Sequence, residues 1–253
     1  MGNKNYEVII DNIVNWMNEK VGGAGCAGGV VGLSGGIDSS VVAVLCKKAF
    51  GDNCMGLIMP CHSSESDFED AKLVAEHLGM KYELVDLTST FDAMTKVLDK
   101  DFDLNKQKTL EIMNLKPRLR MTALYYYANK LNYFVIGTGN KSEILMGYFT
   151  KYGDGGVDME PMGDLTKTDV YEVARILGVP DKIIDRVPSA GLYYGQTDEV
   201  EMGITYKELD HIIECLEEGK LDGCDNSKVK FVESTIKKMK HKSNPPPACQ
   251  LGK

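Results

Sequence analysis

From Ser34 to Ser40 the chain reads Ser-Gly-Gly-Ile-Asp-Ser-Ser, hydroxyls and glycines around one carboxylate. Glycines let the backbone adopt positive φ and approach a ligand closely. The apolar run Val30–Leu33 precedes this stretch, and Val41–Leu45 follows it as the body of a helix. A helix starting at such a turn aims its free N–H groups and positive dipole end at the turn, which suits phosphate. Ser34, Ser39 and Ser40 add hydroxyl donors. Asp38 cannot be there for phosphate itself, because like charges repel; a carboxylate beside phosphates implies a metal between them. The turn is neither Gly-x-x-x-x-Gly-Lys-Ser/Thr nor Gly-x-Gly-x-x-Gly. Gly-Gly alone would fit an ordinary strand–turn–helix corner; the whole string argues for a phosphate site.

The elements that must position this turn follow from the pattern around it. Tyr6–Lys20 carries Val8, Ile9, Ile13, Trp16 and Met17 near helical spacing, and a glycine-rich link, Gly22–Gly29, leads into the first strand. Cys54–Pro60 reads as a second strand. Ser66-Asp67-Phe68-Glu69 has capping-box spacing for a helix to about His77. Lys81–Leu87 alternates as a third strand, and Thr90–Lys100 is helical. Asp101–Leu115 is expected to be mobile or partly ordered. Pro117 suits the first position of a helix to about Leu131, which places Arg118 and Arg120 in its first turn. They are either solvated there or face an anion, which would offset their conflict with the helix dipole.

Tyr133–Gly139 is the fourth strand. Strand–helix alternation predicts an α/β fold, a Rossmann-like doubly wound parallel sheet with helices on both faces. With strand order 3-2-1-4, Ser34 and Thr138 end adjacent strands and face one crevice. Helices are expected over Asp169–Gly178, Tyr206–Glu218 and Lys228–Lys240, with a loop over the site at Ser189–Glu201 and an extended tail at Pro245–Pro247.

The chain has 253 residues, 43% of them hydrophobic, which suits one domain spanning 1–253. Its apolar runs are shorter than a membrane span and no charged-then-apolar leader opens it, so the expectation is a soluble cytoplasmic protein. Net charge −8 argues against a general nucleic-acid partner. The seven cysteines form no Cys-x-x-Cys pair and read as reduced thiols, not as a disulfide frame or a zinc site. The four histidines are dispersed, so no metal cluster is expected from them.

The Ser34–Ser40 turn resembles the pyrophosphate loop of the ATP pyrophosphatases, the adenine nucleotide alpha-hydrolase-like superfamily. Later strings narrow the resemblance: Pro117-Arg118-Leu119-Arg120-Met121, Gly137-Thr138-Gly139-Asn140-Lys141-Ser142-Glu143, Gly147-Tyr148-Phe149-Thr150-Lys151-Tyr152-Gly153-Asp154-Gly155, Pro161–Lys167, Pro188–Leu192, Gln196–Glu199 and His241-Lys242. In that order they resemble the ammonia-dependent branch of the NAD synthase family over nearly the whole chain. Pro117 stands where alanine is more usual, and Ser243 stands where an arginine usually follows His241-Lys242.

The resemblance implies a C–N ligase that adenylates the carboxylate of deamido-NAD with ATP and then amidates it with ammonia, releasing AMP and pyrophosphate. Gly32, Leu33, Ser34, Gly35, Gly36, Ile37, Asp38 and Ser39 would hold ATP, with Thr138, Lys167 and Ser189. Asp38 and Glu143 would bind Mg2+, although Glu143 also reads as a helix-start carboxylate. Arg118, Lys151, Asp158, His241 and Lys242 would contact deamido-NAD; His241-Lys242 equally suits a basic helix C-terminus. Asp38 and Lys167 carry the catalytic expectation, and Asp154 or water is left to take the ammonium proton. The resemblance also implies a homodimer through the Tyr6–Lys20 and Tyr125-Tyr126-Tyr127 helices, whose apolar faces could equally be core. Only about thirty residues precede the first strand, too few for a glutaminase domain, so free ammonia is the expected nitrogen donor. A tRNA-thiolating ATP pyrophosphatase would want a basic surface and paired cysteines. A nucleotide sensor without chemistry would not need Asp38, Glu143 and Lys167 together.

Overall fold

A computed structural model describes residues 4–100, 103, 109–192 and 195–251. Four parallel strands, β1 (Gly28–Gly32), β2 (Cys54–Ile58), β3 (Lys81–Leu84) and β4 (Tyr133–Ile136), lie in the order β3-β2-β1-β4. This order meets the condition under which Ser34 and Thr138 face one crevice, and it puts the ends of β1 and β4 side by side. Successive strand residues face opposite sides of a sheet, and the core divides accordingly. Val31, Ile58 and Ile136 pack with α1 (Tyr6–Gly23), α2 (Ile37–Phe50), α3 (Glu65–His77) and α8 (Lys167–Ile176). Val30, Leu57 and Val135 pack with Leu87, with Phe91 of α4 (Thr88–Leu98) and with Ala128 of α6 (Leu115–Leu131). Apolar runs buried on both faces are what a helix-covered parallel sheet requires.

The free edge of β4 is covered by chain 157–160. Gly137 N donates to Met159 O at 2.8 Å and Asp158 N to Val135 O at 2.9 Å. The Asp158 carboxylate accepts from Val135 N at 2.8 Å. These bonds satisfy an edge that would otherwise expose unpaired backbone groups, and they end β4 at Ile136, not at Gly139. A second, smaller core joins α7 (Lys141–Met146), α10 (Asp198–Met202), α11 (Tyr206–Glu218) and α12 (Asn226–Ser243) through Met146, Met202, Leu209, Ile213 and Val232. No helix among the described residues is long and apolar enough to cross a membrane.

Several expected boundaries shift. The capping box of α3 is Ser64 with Asp67, not Ser66 with Glu69. Helix α6 starts at Leu115, so Pro117 is its third residue, and Arg120 stands in the second turn. The first N–H groups of a helix have no intrahelical acceptor, so Pro is tolerated there. Helix α8 starts at Lys167 because Thr166 and Asp169 form its capping box. The short α10 interrupts the expected 189–201 loop. Within Asp101–Leu115, residues 101, 102 and 104–108 lie outside the described residues, and α5 (Leu110–Met113) occupies part of the remainder. All seven cysteines are free thiols, as expected; His211, Cys215 and Cys224, though apart in the sequence, converge where α11 turns toward α12.

Candidate active site

Helix α2 begins at Gly36 with no side-chain cap. Ser39 and Ser40 hydroxyls donate to Gly36 O at 3.0 and 2.8 Å, and the Ser34 and Ser39 hydroxyls lie 3.0 Å apart. The turn's serines thus bond among themselves and to Gly36, whose N–H donates to Ser34 Oγ at 3.2 Å while Ser34 N donates to Ser39 Oγ at 3.3 Å; this keeps the loop tight and leaves the start of α2 without a side-chain cap. Gly35 has φ +78°, and a Cβ there would stand 2.8 Å from Asp70 Cβ and 2.9 Å from Ala71 N, so only glycine fits. Leu33 and Ile37 are buried in the core; of these two, only the backbone is available to a ligand.

Three helix starts meet beside this turn. Asp38 lies in the first turn of α2, Glu143 in the first turn of α7, and Lys167 is the first residue of α8. Lys167 is 1% exposed. Its ammonium donates to Asp38 Oδ2 and to Glu143 Oε1, the latter at 3.4 Å, and lies 5.0 Å from the centre of the Tyr206 ring. Burial alone would lower the Lys167 pKa, but the two carboxylates hold it above the usual lysine range. Burial pushes the Glu143 carboxyl up. Removing charges from water is costly unless they are paired and hydrogen-bonded, and the surroundings provide the bonds. Asn140 Nδ2 donates to Asp38 Oδ1 at 2.9 Å; the Tyr206 hydroxyl lies 3.1 Å from both Glu143 Oε1 and Asp198 Oδ2. Asp210 locks the frame: Ser142 Oγ donates to it at 2.5 Å and Thr168 N at 2.8 Å, while Lys167 N donates to Ser142 Oγ at 3.0 Å. One buried carboxylate on α11 therefore fixes the starts of α7 and α8 together.

A cavity of about 360 Å3 opens beside this cluster. Thr138, Glu143, Asp158 and Lys242 line it, with Asp154 and Glu160. The size falls within the range of small-ligand pockets. Arg118, Lys151, His241 and Ser189 are not among its lining residues. Arg118 is exposed on α6, and Ser189 is exposed with its hydroxyl accepting from Gly191 N at 3.1 Å. Lys151 donates to His241 O at 2.6 Å and Asn244 O at 3.1 Å; Lys242 donates to Gly147 O at 2.6 Å and to Phe149 O. The two lysines thus clasp the end of α12 onto the 147–151 segment. Arg120, not Arg118, points to the carboxyl end of β2, donating to Met59 O at 3.1 Å.

Glu160 is a site feature that sequence reasoning missed. Its Oε2 accepts from Gly139 N at 3.0 Å, and a Cβ at Gly137 would stand 2.2 Å from the same carboxylate oxygen. Burial raises its pKa to about 8. The protonated form is favoured in the folded state, so this group's contribution is fully present below about 4.5 and is lost as pH rises through about 8. Unfolding by urea should therefore show wild-type stability falling by about 1–2 kcal/mol relative to Glu160→Gln between roughly pH 5 and 8.5. Parallel pH profiles would contradict this. Asp154 lines the cavity and is exposed there, and desolvation by the surrounding protein raises its carboxyl. Asn140, Tyr206, Asp198 and Asp210 were also missed. Only the Asn140-x-x-Glu143 capping spacing was visible in the sequence, and it is present as a capping box.

A family model described as NAD synthase matches residues 9–246. The chain is 50% identical to an NH(3)-dependent NAD(+) synthetase of Carboxydothermus hydrogenoformans, covering 98% of this chain and 99% of that one. Among solved structures it resembles an NMN synthetase from Francisella tularensis (TM-score 0.88, 34% identity, covering 98% and 100%). It also resembles an NH3-dependent NAD synthetase from Campylobacter jejuni in complex with nitrate (TM-score 0.82, 31% identity, covering 98% and 100%).

Proposed function

The chain belongs to the NAD synthase family, and from that premise we propose how the cluster around Lys167 performs the family's ligation. The protein is a ligase of ammonia-dependent NAD synthesis, with ATP as co-substrate. In our reading, the triphosphate lies against the open start of α2, held by backbone N–H groups from Ser34 to Ser39. A carboxylate oxygen of deamido-NAD attacks the α-phosphorus as the bond to pyrophosphate breaks. Ammonia then attacks the acyl carbon of the mixed anhydride, AMP leaves, and one proton is released from nitrogen. Lys167 counters the charge that develops on the leaving pyrophosphate. The observation that carries this reading is a buried ammonium shared by two carboxylates where three helix starts converge.

The donor set fits magnesium. Asp38 and Glu143 are the carboxylates that would hold it, beside the Lys167 ammonium that both accept from. Magnesium commonly takes one or two carboxylates and fills its octahedron with waters and phosphate oxygens. When bound, it would neutralise phosphate charge. Thr138 lies at the cavity rim for the nucleotide, with Ser189 assigned to ATP through movement of its exposed segment. Asp158 and Lys242 receive deamido-NAD directly. Lys151 and His241 act there from the α12 clasp, and Arg118 acts from outside the cavity. Asp154, with its raised carboxyl on the cavity wall, takes the ammonium proton.

The test is an assay of NAD and pyrophosphate with ATP, Mg2+, ammonium and deamido-NAD. Nicotinic acid mononucleotide is offered in parallel, because the Francisella neighbour is described as an NMN synthetase. NAD formation that needs deamido-NAD and ammonium supports the reading; pyrophosphate release independent of deamido-NAD would overturn it. Glutamine in place of ammonium should give no NAD, in keeping with the ammonia-dependent relatives. Lys151→Ala should raise KM for deamido-NAD about tenfold or more, since hydrogen bonds to a charged group are worth about 1.5–3 kcal/mol. KM for ATP should stay within about twofold; an equal rise in both would reassign Lys151. We place the enzyme in the cytoplasm as a homodimer. Val8 and Trp16 on α1 and Tyr126 on α6 are exposed and support that reading; light scattering of the purified protein would test the dimer.

A further inference from the structure

Far from the sheet, α11 presents His211 and Cys215 one turn apart, so both side chains stand on the same face. Past the helix end, the chain turns back through Lys220 N to Cys215 O at 2.9 Å and Cys224 N to Leu221 O at 3.1 Å. This turn brings the Cys224 sulfur to His211. His211 Nε2 lies 3.8 Å from Cys215 Sγ and 3.7 Å from Cys224 Sγ. The three ligand atoms all fall within 4.8 Å of one another. The rest of Cys224 rests on the small C-terminal core, while His211 is exposed and leaves a path for an ion.

These separations can be compared with what a metal needs. Zinc binds thiolate at about 2.3 Å and imidazole at about 2.0–2.1 Å in tetrahedral sites. Neighbouring ligand atoms in such a tetrahedron stand about 3.8 Å apart sulfur to sulfur and about 3.6 Å sulfur to nitrogen. The two measured sulfur–nitrogen separations therefore match the tetrahedral edge to within a few tenths of an ångström. Two sulfurs and an imidazole select a borderline or soft cation over magnesium, which prefers oxygen. Glu214 and Glu218 lie close enough to act electrostatically on Cys215, and their negative charge favours a cation.

We propose that His211 Nε2, Cys215 Sγ and Cys224 Sγ form a zinc-class metal site, with water as the fourth ligand. The site clips the end of α11 to the turn that launches α12. That helix carries Lys242 to the cavity at its other end, so the clip supports the substrate side of the enzyme without touching the reaction. Since thiolates are the ligands, metal uptake releases protons and strengthens as pH rises.

The experiment uses the metal-free, reduced, full-length protein in excess Mg2+, titrated with Co2+ and then Zn2+. One equivalent of Co2+ should produce thiolate-to-cobalt charge-transfer absorption, which Zn2+ then abolishes. Cys215→Ser, Cys224→Ser and His211→Ala should each weaken binding by more than the roughly 10–100-fold that follows loss of an outer-shell partner. Cys249→Ser, an exposed cysteine in the tail, should leave it unchanged. In the unaltered protein Zn2+ should also protect two thiols from alkylation, a readout that does not depend on any variant folding. The proposal is overturned if reduced protein gives no thiolate band, or if the band survives in the Cys215→Ser/Cys224→Ser double variant. It is equally overturned if the two thiols are found joined as a disulfide whose reduction brings no metal uptake.

Discussion

Lys167→Met is expected to lower turnover about 100- to 1000-fold, the loss that follows removal of one preorganised charge stabiliser from a water-poor site. Methionine nearly preserves the shape of the buried side chain, so the change isolates the charge. Without the ammonium, Asp38 and Glu143 face each other across a buried space with no cation between them. Breaking such a pair by removing one partner costs about 3–5 kcal/mol of stability. Rates are therefore compared below the variant's own unfolding midpoint, by pyrophosphate release at saturating ATP and deamido-NAD. Turnover within about tenfold of the wild type would show that Lys167 is a structural counter-ion and not a group that acts on the reaction.

Asp38→Ala should abolish measurable turnover, a fall of about 1000-fold or more, while the fold persists. The fold should tolerate it because Lys167 keeps Glu143 as a partner and Asp38 is not part of the apolar core. What goes is the carboxylate that Asn140 orients from α7 and that Lys167 contacts from α8. The diagnostic measurement is ATP binding by calorimetry with and without Mg2+. Wild-type affinity should depend strongly on the ion, and the variant should lose most of that dependence. A near-normal rate, or an unchanged response to Mg2+, would show that Asp38 binds no metal.

The two predictions rest on parts of the molecule that differ in how far the sequence revealed them. The parallel, helix-covered sheet was readable because Val30-Val31, Leu57-Ile58 and Val135-Ile136 are apolar on both strand faces, whereas the strand order is a long-range property that no local pattern carries. The turn at Ser34–Ser40 was readable because its chemistry is local. Asp38, Glu143 and Lys167 could be named singly, but the sequence did not show that one ammonium bridges both carboxylates. Asp210 and Tyr206 were not legible at all. They lie on α11 in an ordinary amphipathic pattern, and only the packing of α11 against α7 and α8 turns them toward the site. Lys116 is another such case. Nothing in its local pattern marks it as buried, yet its ammonium sits near the Phe91 ring and donates to Leu192 O at 3.0 Å. Burial lowers its pKa.

Lys151, His241 and Lys242 were anticipated as substrate contacts, and the fold gives two of them a structural duty. Lys151 and Lys242 bond backbone carbonyls on each side of the α12 clasp. A lysine that reaches carbonyl oxygens is indistinguishable in sequence from one that waits for phosphate, because both need the same donors.

In the proposed reaction the start of α2 grips the departing pyrophosphate while Asp38 and Glu143 bring a divalent ion to it. The most direct measurement is a crystal structure with a non-hydrolysable ATP analogue and Mn2+, located by anomalous scattering. The β- and γ-phosphates should lie on the backbone N–H groups between Ser34 and Ser39, with manganese between them and the Asp38 and Glu143 carboxylates. A triphosphate seated away from that turn, or manganese bound elsewhere while the analogue is in place, would contradict it.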